Sequence, residues 1–279
     1  MKLYRTASGI LIHHEDRFFL SSRNWTEFIN RENLHHTLVR ELLYMPVVSN
    51  PELILEKELL PPIERQEVWA AGVTYFRSRQ ARMEESGETG AAVFYDKVYE
   101  ASRPELFFKS AGQRVSGHRG MVCIRADSEW NVPEPELTLF INAKGNISGY
   151  TVGNDMSSRS IEGENPLYLP QAKVYEHSAA LGPCLLVPAK PLEPSTEIHM
   201  EIIREGKQIY QDSVPISQMK RKPAELAAYL YRGCHFPDGC FLMTGTCLVP
   251  EGDFTLLQED EVKISIDGIG TLVNSVGLF

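Results

Sequence analysis

Residues 134–155 read E-P-E-L-T-L-F-I-N-A-K-G-N-I-S-G-Y-T-V-G-N-D, and this stretch constrains the fold more than any other. Glu134 and Glu136 are two residues apart, so in a strand both carboxylates point to one side. Leu137 to Asn142 is apolar and β-branched enough for that strand. Ala143-Lys144-Gly145-Asn146 reads as a turn, and Ile147 to Val152 as the returning strand. With Asn142 paired to Ile147, the register sets Glu134 opposite Asp155. Three carboxylates then converge at the open end of a hairpin. Directly opposed like charges repel, which calls for a cation between them, and oxygen ligands select Mg²⁺, Ca²⁺ or Mn²⁺ over Zn²⁺. The alternative is a wetted strand face that binds nothing. Pro133 and Pro135 donate no ladder hydrogen bonds, which places this end of the strand at an edge or rim.

At 279 residues the chain can bury a large core, in one domain or two. A net charge of −9 argues against a nucleic-acid or anionic-membrane surface. No apolar run has the length of a membrane span, and Met-Lys-Leu-Tyr-Arg at the start lacks a signal peptide's apolar core. Cys123, Cys184, Cys234, Cys240 and Cys247 are odd in number and include no C-x-x-C, so reduced thiols and a cytoplasmic location are expected.

Residues 1–65 read as a small α+β unit, with a hairpin from Gly9–His13 and Arg17–Leu20 around His14-Glu15-Asp16. Leu34, Leu38 and Leu42 form the apolar stripe of a helix from Glu32 to Leu43, with His35 and His36 off the stripe. Pro61-Pro62 marks the boundary to a second unit, 66–279. There, Val68 to Val73 reads as a buried strand and Tyr75 to Glu85 as a polar helix ending at Gly87. Arg77, Arg79 and Arg82 lie on that helix as a salt-bridged face or a grip for an acidic substrate. Glu105 and Lys109 flank an apolar strand; buried, they could do acid–base chemistry, and exposed, nothing. Met156-Ser157-Ser158-Arg159 starts a helix, with Ser157 or Ser158 as cap. Glu162 and Glu164 are expected to be solvated. Pro223 to Tyr231 is a helix among strands. Thr244-Gly245-Thr246 suits close approach to an anionic ligand, or is simply a tight strand end. Lys263 to Val276 forms a hairpin on Asp267-Gly268. Many short strands and few helices point to a β-rich α+β fold with its site at one rim.

Glu134-Pro-Glu136, Asn154-Asp155-Met-Ser157-Ser-Arg159, Lys173 with Gly182-Pro183, Thr244-Gly245-Thr246 and Gly268-Ile-Gly270-Thr271-Leu272-Val-Asn274 together resemble the fumarylacetoacetate hydrolase family over residues 66–279. The resemblance implies a mixed β-sandwich roll, a homodimer or homotetramer, and Mg²⁺ (or Mn²⁺ or Ca²⁺) held by Glu134, Glu136 and Asp155. Lys173 would line the substrate site. Carbon–carbon hydrolases of this family carry G-x-N-Y-x-x-H-x-x-E, whose His and Glu activate water. In this chain the Asn, His and Glu positions are Thr74, Ser78 and Ala81. Ser78 is then a candidate substrate contact rather than a base.

Arg103-Pro-Glu105-Leu-Phe-Phe-Lys109, the run from Arg159 to Lys173, and Leu181-Gly-Pro-Cys184 resemble a narrower branch, the 2-keto-3-deoxy-D-arabinonate dehydratases. The resemblance implies conversion of a 2-keto-3-deoxy-pentonate to 2,5-dioxopentanoate and water. A cation-bound 2-oxo acid would lose a proton at C3 and then its C4 hydroxyl. Glu105 is the first choice for the proton shuttle and Lys173 the second, with roles exchangeable. Thr244 and Thr246 are candidates for holding the sugar-acid hydroxyls or carboxylate. The alternatives are a carbon–carbon hydrolase or decarboxylase of an acylpyruvate or oxaloacetate-type substrate, and a non-catalytic sugar-acid-binding homologue.

Overall fold

The computed structural model describes residues 1–75, 98–248, 250 and 254–279. Its strands, in chain order, are β1 Lys2–Thr6, β2 Gly9–His14, β3 Arg17–Ser21, β4 Glu67–Gly72, β5 Glu105–Ala111, β6 Val115–Ser116, β7 Met121–Ile124, β8 Asn131–Val132, β9 Pro135–Ile141, β10 Ile147–Asp155, β11 Ser157–Ser158, β12 Ala179–Leu186, β13 Glu197–Arg204, β14 Lys207–Pro215, β15 Cys240–Met243, β16 Glu261–Ile266 and β17 Gly270–Leu278. The helices used below are α1 Trp25–Ile29, α2 Leu34–Glu41, α3 Pro51–Lys57, α4 Arg159–Glu164, α5 Leu169–Lys173 and α6 Pro223–Leu230.

A ten-stranded sheet runs β3-β2-β1-β12-β10-β9-β15-β4-β5, with β6 also paired to β12. A five-stranded sheet runs β14-β13-β16-β17-β7. Most pairs are antiparallel, and β15–β4, β12–β6 and β17–β7 are parallel, so the sheets are mixed. This is the β-rich α+β sandwich expected from the sequence.

The central strands show why the chain stacks in layers. Every residue of β9 is buried. Leu137, Leu139 and Ile141 enter one core with Cys240, Leu242, Val262 and Ile264, between the two sheets. Phe140 enters another core with Phe241, Met243, Trp25, Phe28 and Leu38, between the large sheet and the N-terminal helices. Period-two alternation in a strand covered on both faces feeds two cores at once. Pro135 lies at the start of β9, an interior strand, so the prolines mark a strand end rather than an edge strand.

The N-terminal hairpin forms as expected, with Ile10 paired to Ser21 and His14 to Arg17. β1 was not anticipated. It pairs antiparallel with β12, Lys2 opposite Leu186, and joins the first residues to the large sheet. α2 is shorter than its apolar stripe implied, and α6 and the β16–β17 hairpin fall where expected. The polar helix expected from Tyr75 to Glu85, with Arg77, Arg79 and Arg82, lies outside the described residues beyond Tyr75. No helix among the described residues is long and apolar enough to cross a membrane.

Candidate metal centre and substrate pocket

The β9–β10 hairpin brings the carboxylates together by a route slightly different from the one expected. Ile141, not Asn142, pairs with Ile147, and a bulge before Gly149 adds one residue to β10. The bulge restores the register, so Gly153 faces Glu136 and Asn154 faces Pro135. The Asp155 amide then donates to the Glu134 carbonyl at 2.9 Å. Glu134, Glu136 and Asp155 are buried, and one oxygen from each lies within 4.8 Å of the others. The pocket they line, with Ala71, Gly72, Val73, Phe107, Arg159, Lys173, Gly245 and Thr246, holds about 20 Å³, room for one ion or water.

Each carboxylate has one oxygen gripped from behind. Arg159 Nη2 donates to Glu134 Oε1 at 2.7 Å. The Gly245 amide donates to Glu136 Oε2 at 2.5 Å. Lys109 Nζ lies 2.6 Å from Asp155 Oδ1 as an ion pair, by distance and charge rather than by hydrogen-bond alignment. Such outer partners fix ligand orientation at metal sites. Two of the opposite oxygens, Glu134 Oε2 and Asp155 Oδ2, meet Lys173 Nζ at 2.6 and 3.2 Å. Lys173 thus bridges the oxygens that face inward.

Burial, with Asp155 and Glu134 adding to it, holds the Glu136 carboxyl well above the ordinary glutamate range. Burial likewise pulls the Lys109 ammonium down, against the opposing attraction of Asp155. Three acids packed this closely, one of them reluctant to ionise, are the donor set a hard divalent cation relieves. Glu134, Glu136 and Asp155 therefore fit Mg²⁺ or a similar ion.

Glycine at two positions is dictated by the site. Gly245 has φ +94°, and a Cβ there would overlap the Thr74 hydroxyl, so only glycine turns its amide onto Glu136. Gly72 faces Glu105 across β4–β5, and a Cβ there would overlap the Glu105 carboxylate. Glu105 therefore lies over a pocket-lining residue, on the same face of β5 as Phe107, which also lines the pocket.

The remaining expectations divide. Lys173 is fully buried at the end of α5, inside the site. Thr246 lines the pocket. Thr244 does not: its hydroxyl donates to the Leu137 carbonyl at 2.8 Å. Thr74, at the family's Asn position, donates to the Thr244 carbonyl at 2.7 Å and braces the Thr244–Thr246 turn. Ser78 lies outside the described residues. Glu162 is a correction: expected in solvent, it is buried and accepts from Ser157 Oγ at 2.9 Å, with Arg159 Nε 4.0 Å away. Glu164 is exposed as expected. Ser158 occupies the cap position of α4 but makes no capping bond; its hydroxyl donates to Ser128 Oγ at 2.7 Å instead.

The sequence singles out Lys109 as a conditional acid–base candidate and Gly245 as part of a step suited to an anionic ligand, but ties none of Lys109, Arg159 and Gly245 to the triad. Arg159 carried a signal, four residues after Asp155 in one motif. Lys109 and Gly245 reach the triad only through the tertiary fold.

A model of the fumarylacetoacetate (FAA) hydrolase C-terminal family matches residues 73–277. The chain is 48% identical over 226 residues to a probable 2-keto-3-deoxyxylonate dehydratase of Haloferax volcanii, covering 81% of this chain and 77% of that protein. It is 43% identical over 217 residues to the 2-dehydro-3-deoxy-D-arabinonate dehydratase of Saccharolobus solfataricus, covering 77% and 73%. Among solved structures, 2-keto-3-deoxy-D-arabinonate dehydratase complexed with magnesium and 2,5-dioxopentanoate superimposes with a TM-score of 0.84 and 33% identity, over 100% of this chain and 99% of that one. The chain belongs to the fumarylacetoacetate hydrolase family.

Proposed function

We infer that this chain is a divalent-cation-dependent hydro-lyase that converts a 2-keto-3-deoxy-pentonate to 2,5-dioxopentanoate and water. The observation that carries this reading is a carboxylate triad and a buried lysine in a pocket whose described lining includes no histidine. The dehydratase relatives at 43% to 48% identity support the same reaction. A cation held by Glu134, Glu136 and Asp155 would supply the positive charge that polarises the 2-keto group and acidifies C3.

The chain's own residues then move protons. Glu105, above Gly72, takes the C3 proton. Lys173 delivers a proton to the C4 hydroxyl, which leaves as water and creates a C3–C4 double bond. Once Glu105 has released the C3 proton and Lys173 has taken one up, Glu105 takes a proton from C5 and returns it to C3, which shifts that bond to C4–C5. The resulting enol gains a proton at C4 as its C5 hydroxyl gives one up, and becomes the aldehyde. One carboxylate beside the chain can serve C3, C5 and C4 in turn. Thr246, and Ser78 at the family's histidine position, are assigned to the substrate's hydroxyls and carboxylate.

Incubation with Mg²⁺ and either a 2-keto-3-deoxy-pentonate or acetylpyruvate, followed by mass spectrometry, tests the reading. Loss of one water from the first and no cleavage of the second are expected. Cleavage of acetylpyruvate would point to the hydrolase alternative. Glu105→Gln is expected to lower kcat by roughly 10²–10⁴-fold, and near-native turnover would remove the shuttle assignment. Gly72→Ala offers a second approach to the same carboxylate. The added methyl meets only the end of a flexible side chain, so melting should shift by a degree or two while turnover drops at least tenfold.

The reading includes a cytoplasmic location and a homodimer or homotetramer. It also keeps residues 1–65 as an N-terminal unit beside a catalytic domain of 66–279; the family match starting at residue 73 supports that division.

A further inference from the structure

We propose that Lys109 is a positioning residue that sets the third carboxylate of the triad and the backbone of Lys173 together. Its side chain is fully buried and does not line the pocket. Nζ lies 2.6 Å from Asp155 Oδ1 and donates to the Met156 carbonyl at 2.9 Å and the Lys173 carbonyl at 2.5 Å. β5, the end of β10 and the end of α5 thus meet at one ammonium. The consequences fall on two functional groups. Asp155 has one oxygen fixed outward, which turns Oδ2 toward Lys173 and the triad. Lys173 has its backbone anchored, which sets the root of the side chain that reaches Glu134.

A compact ammonium suits this place. Its three protons can point to acceptors in diverging directions, whereas guanidinium offers a flat fork. Lys109 meets no solvent and no substrate space, so it acts through Asp155 and Lys173 rather than on the reacting atoms.

Two accounts of Lys109 predict opposite signs for metal binding. If it merely balanced charge, its removal would leave the triad more negative, and Mg²⁺ would bind more tightly. If it positions Asp155, removal weakens Mg²⁺ binding, by the 10–100-fold typical of lost outer partners. The turnover part of the proposal rests on the dehydratase reading, but the Mg²⁺ part does not.

The test is calorimetric titration of the whole protein with Mg²⁺ alone, for wild type, Lys109→Met and Lys109→Arg, each checked for cooperative melting. Both variants are expected to bind Mg²⁺ 10–100-fold more weakly. At saturating Mg²⁺, kcat is expected to stay at least tenfold down while KM changes less than threefold. A folded variant that binds Mg²⁺ as tightly as wild type, or more tightly, overturns the proposal. If Lys109→Met does not fold, Lys109→Arg, which keeps the buried charge, decides on the same criterion. If wild type fails to dehydrate any 2-keto-3-deoxy-pentonate, the dehydratase reading falls, and the Mg²⁺ affinities still decide the role of Lys109.

Discussion

Glu136→Gln is expected to abolish the response to Mg²⁺ while making the metal-free protein more stable, two effects of opposite sign from one nearly isosteric change. Glutamine keeps an oxygen to accept the Gly245 amide, so the fold has no reason to change. In the metal-free protein, burial and the neighbouring Asp155 and Glu134 hold the Glu136 carboxyl well above its ordinary value. From that ordinary value up through the raised one, the folded protein keeps a proton that the unfolded chain has released. Stability therefore declines as pH rises through this window. Glutamine carries no such linkage, so the variant's melting advantage without metal should be absent below the ordinary glutamate value and grow toward pH 8. Mg²⁺ reverses the order. At a hundredfold excess over Kd, a bound ion adds about 2.7 kcal/mol to wild type, several degrees for a chain of this size, and nothing to the variant. Loss of several kcal/mol of charge stabilisation corresponds to a fall in kcat/KM of roughly 10³-fold or more. Melting curves at pH 6 and 8, with EDTA or with Mg²⁺, read all of this. A variant that still melts higher with Mg²⁺ would remove Glu136 from the ligand set.

The triad was legible before the structure because strand alternation and hairpin register are local rules, and they placed Asp155 opposite Glu134. The turn was misread by one residue. The bulge before Gly149 cancelled that error, since an unrepaired slip would have sent Asp155 to the other face. The pairings that stayed hidden have one cause, which is that the partners are remote in sequence. Lys109 meets Asp155 46 positions on, and Gly245 meets Glu136 across 109 residues. Glu162 illustrates the reverse error. Its Gly-Asn-Pro surroundings read as a wet loop, but Ser157 and Arg159 pull its carboxylate inward. Thr244 had the right composition for a ligand contact, yet its hydroxyl holds the turn onto β9. Side-chain type names a candidate, and the hydrogen bond it has already made decides whether the candidate is available.

Lys173→Met is expected to raise Mg²⁺ affinity and lower turnover together, the mirror image of the change at Lys109. Both lysines are fully buried and both pair with Asp155, so charge alone cannot separate them. Position does. Lys109 holds the outer oxygen of Asp155, whereas Lys173 bridges the inner oxygens of Glu134 and Asp155. A divalent ion drawn to those inner oxygens meets an ammonium already there. A divalent ion and an ammonium about 4 Å apart repel by roughly 8 kcal/mol at an effective dielectric near 20, twice the figure for two unit charges. Removing the ammonium should therefore tighten Mg²⁺ binding at least tenfold. Without metal the same change leaves buried carboxylates short of a partner, which costs about 3–5 kcal/mol, and the metal-free melting point should drop accordingly. Turnover should fall roughly 10²–10⁴-fold with the loss of the proposed proton donor, and added Mg²⁺ should not restore it. Calorimetry, melting with and without EDTA, and steady-state kinetics on one preparation give the three signs. Weaker Mg²⁺ binding in Lys173→Met would mean that the lysine orients the ligands rather than competing for them, and native turnover would take it out of the proton pathway.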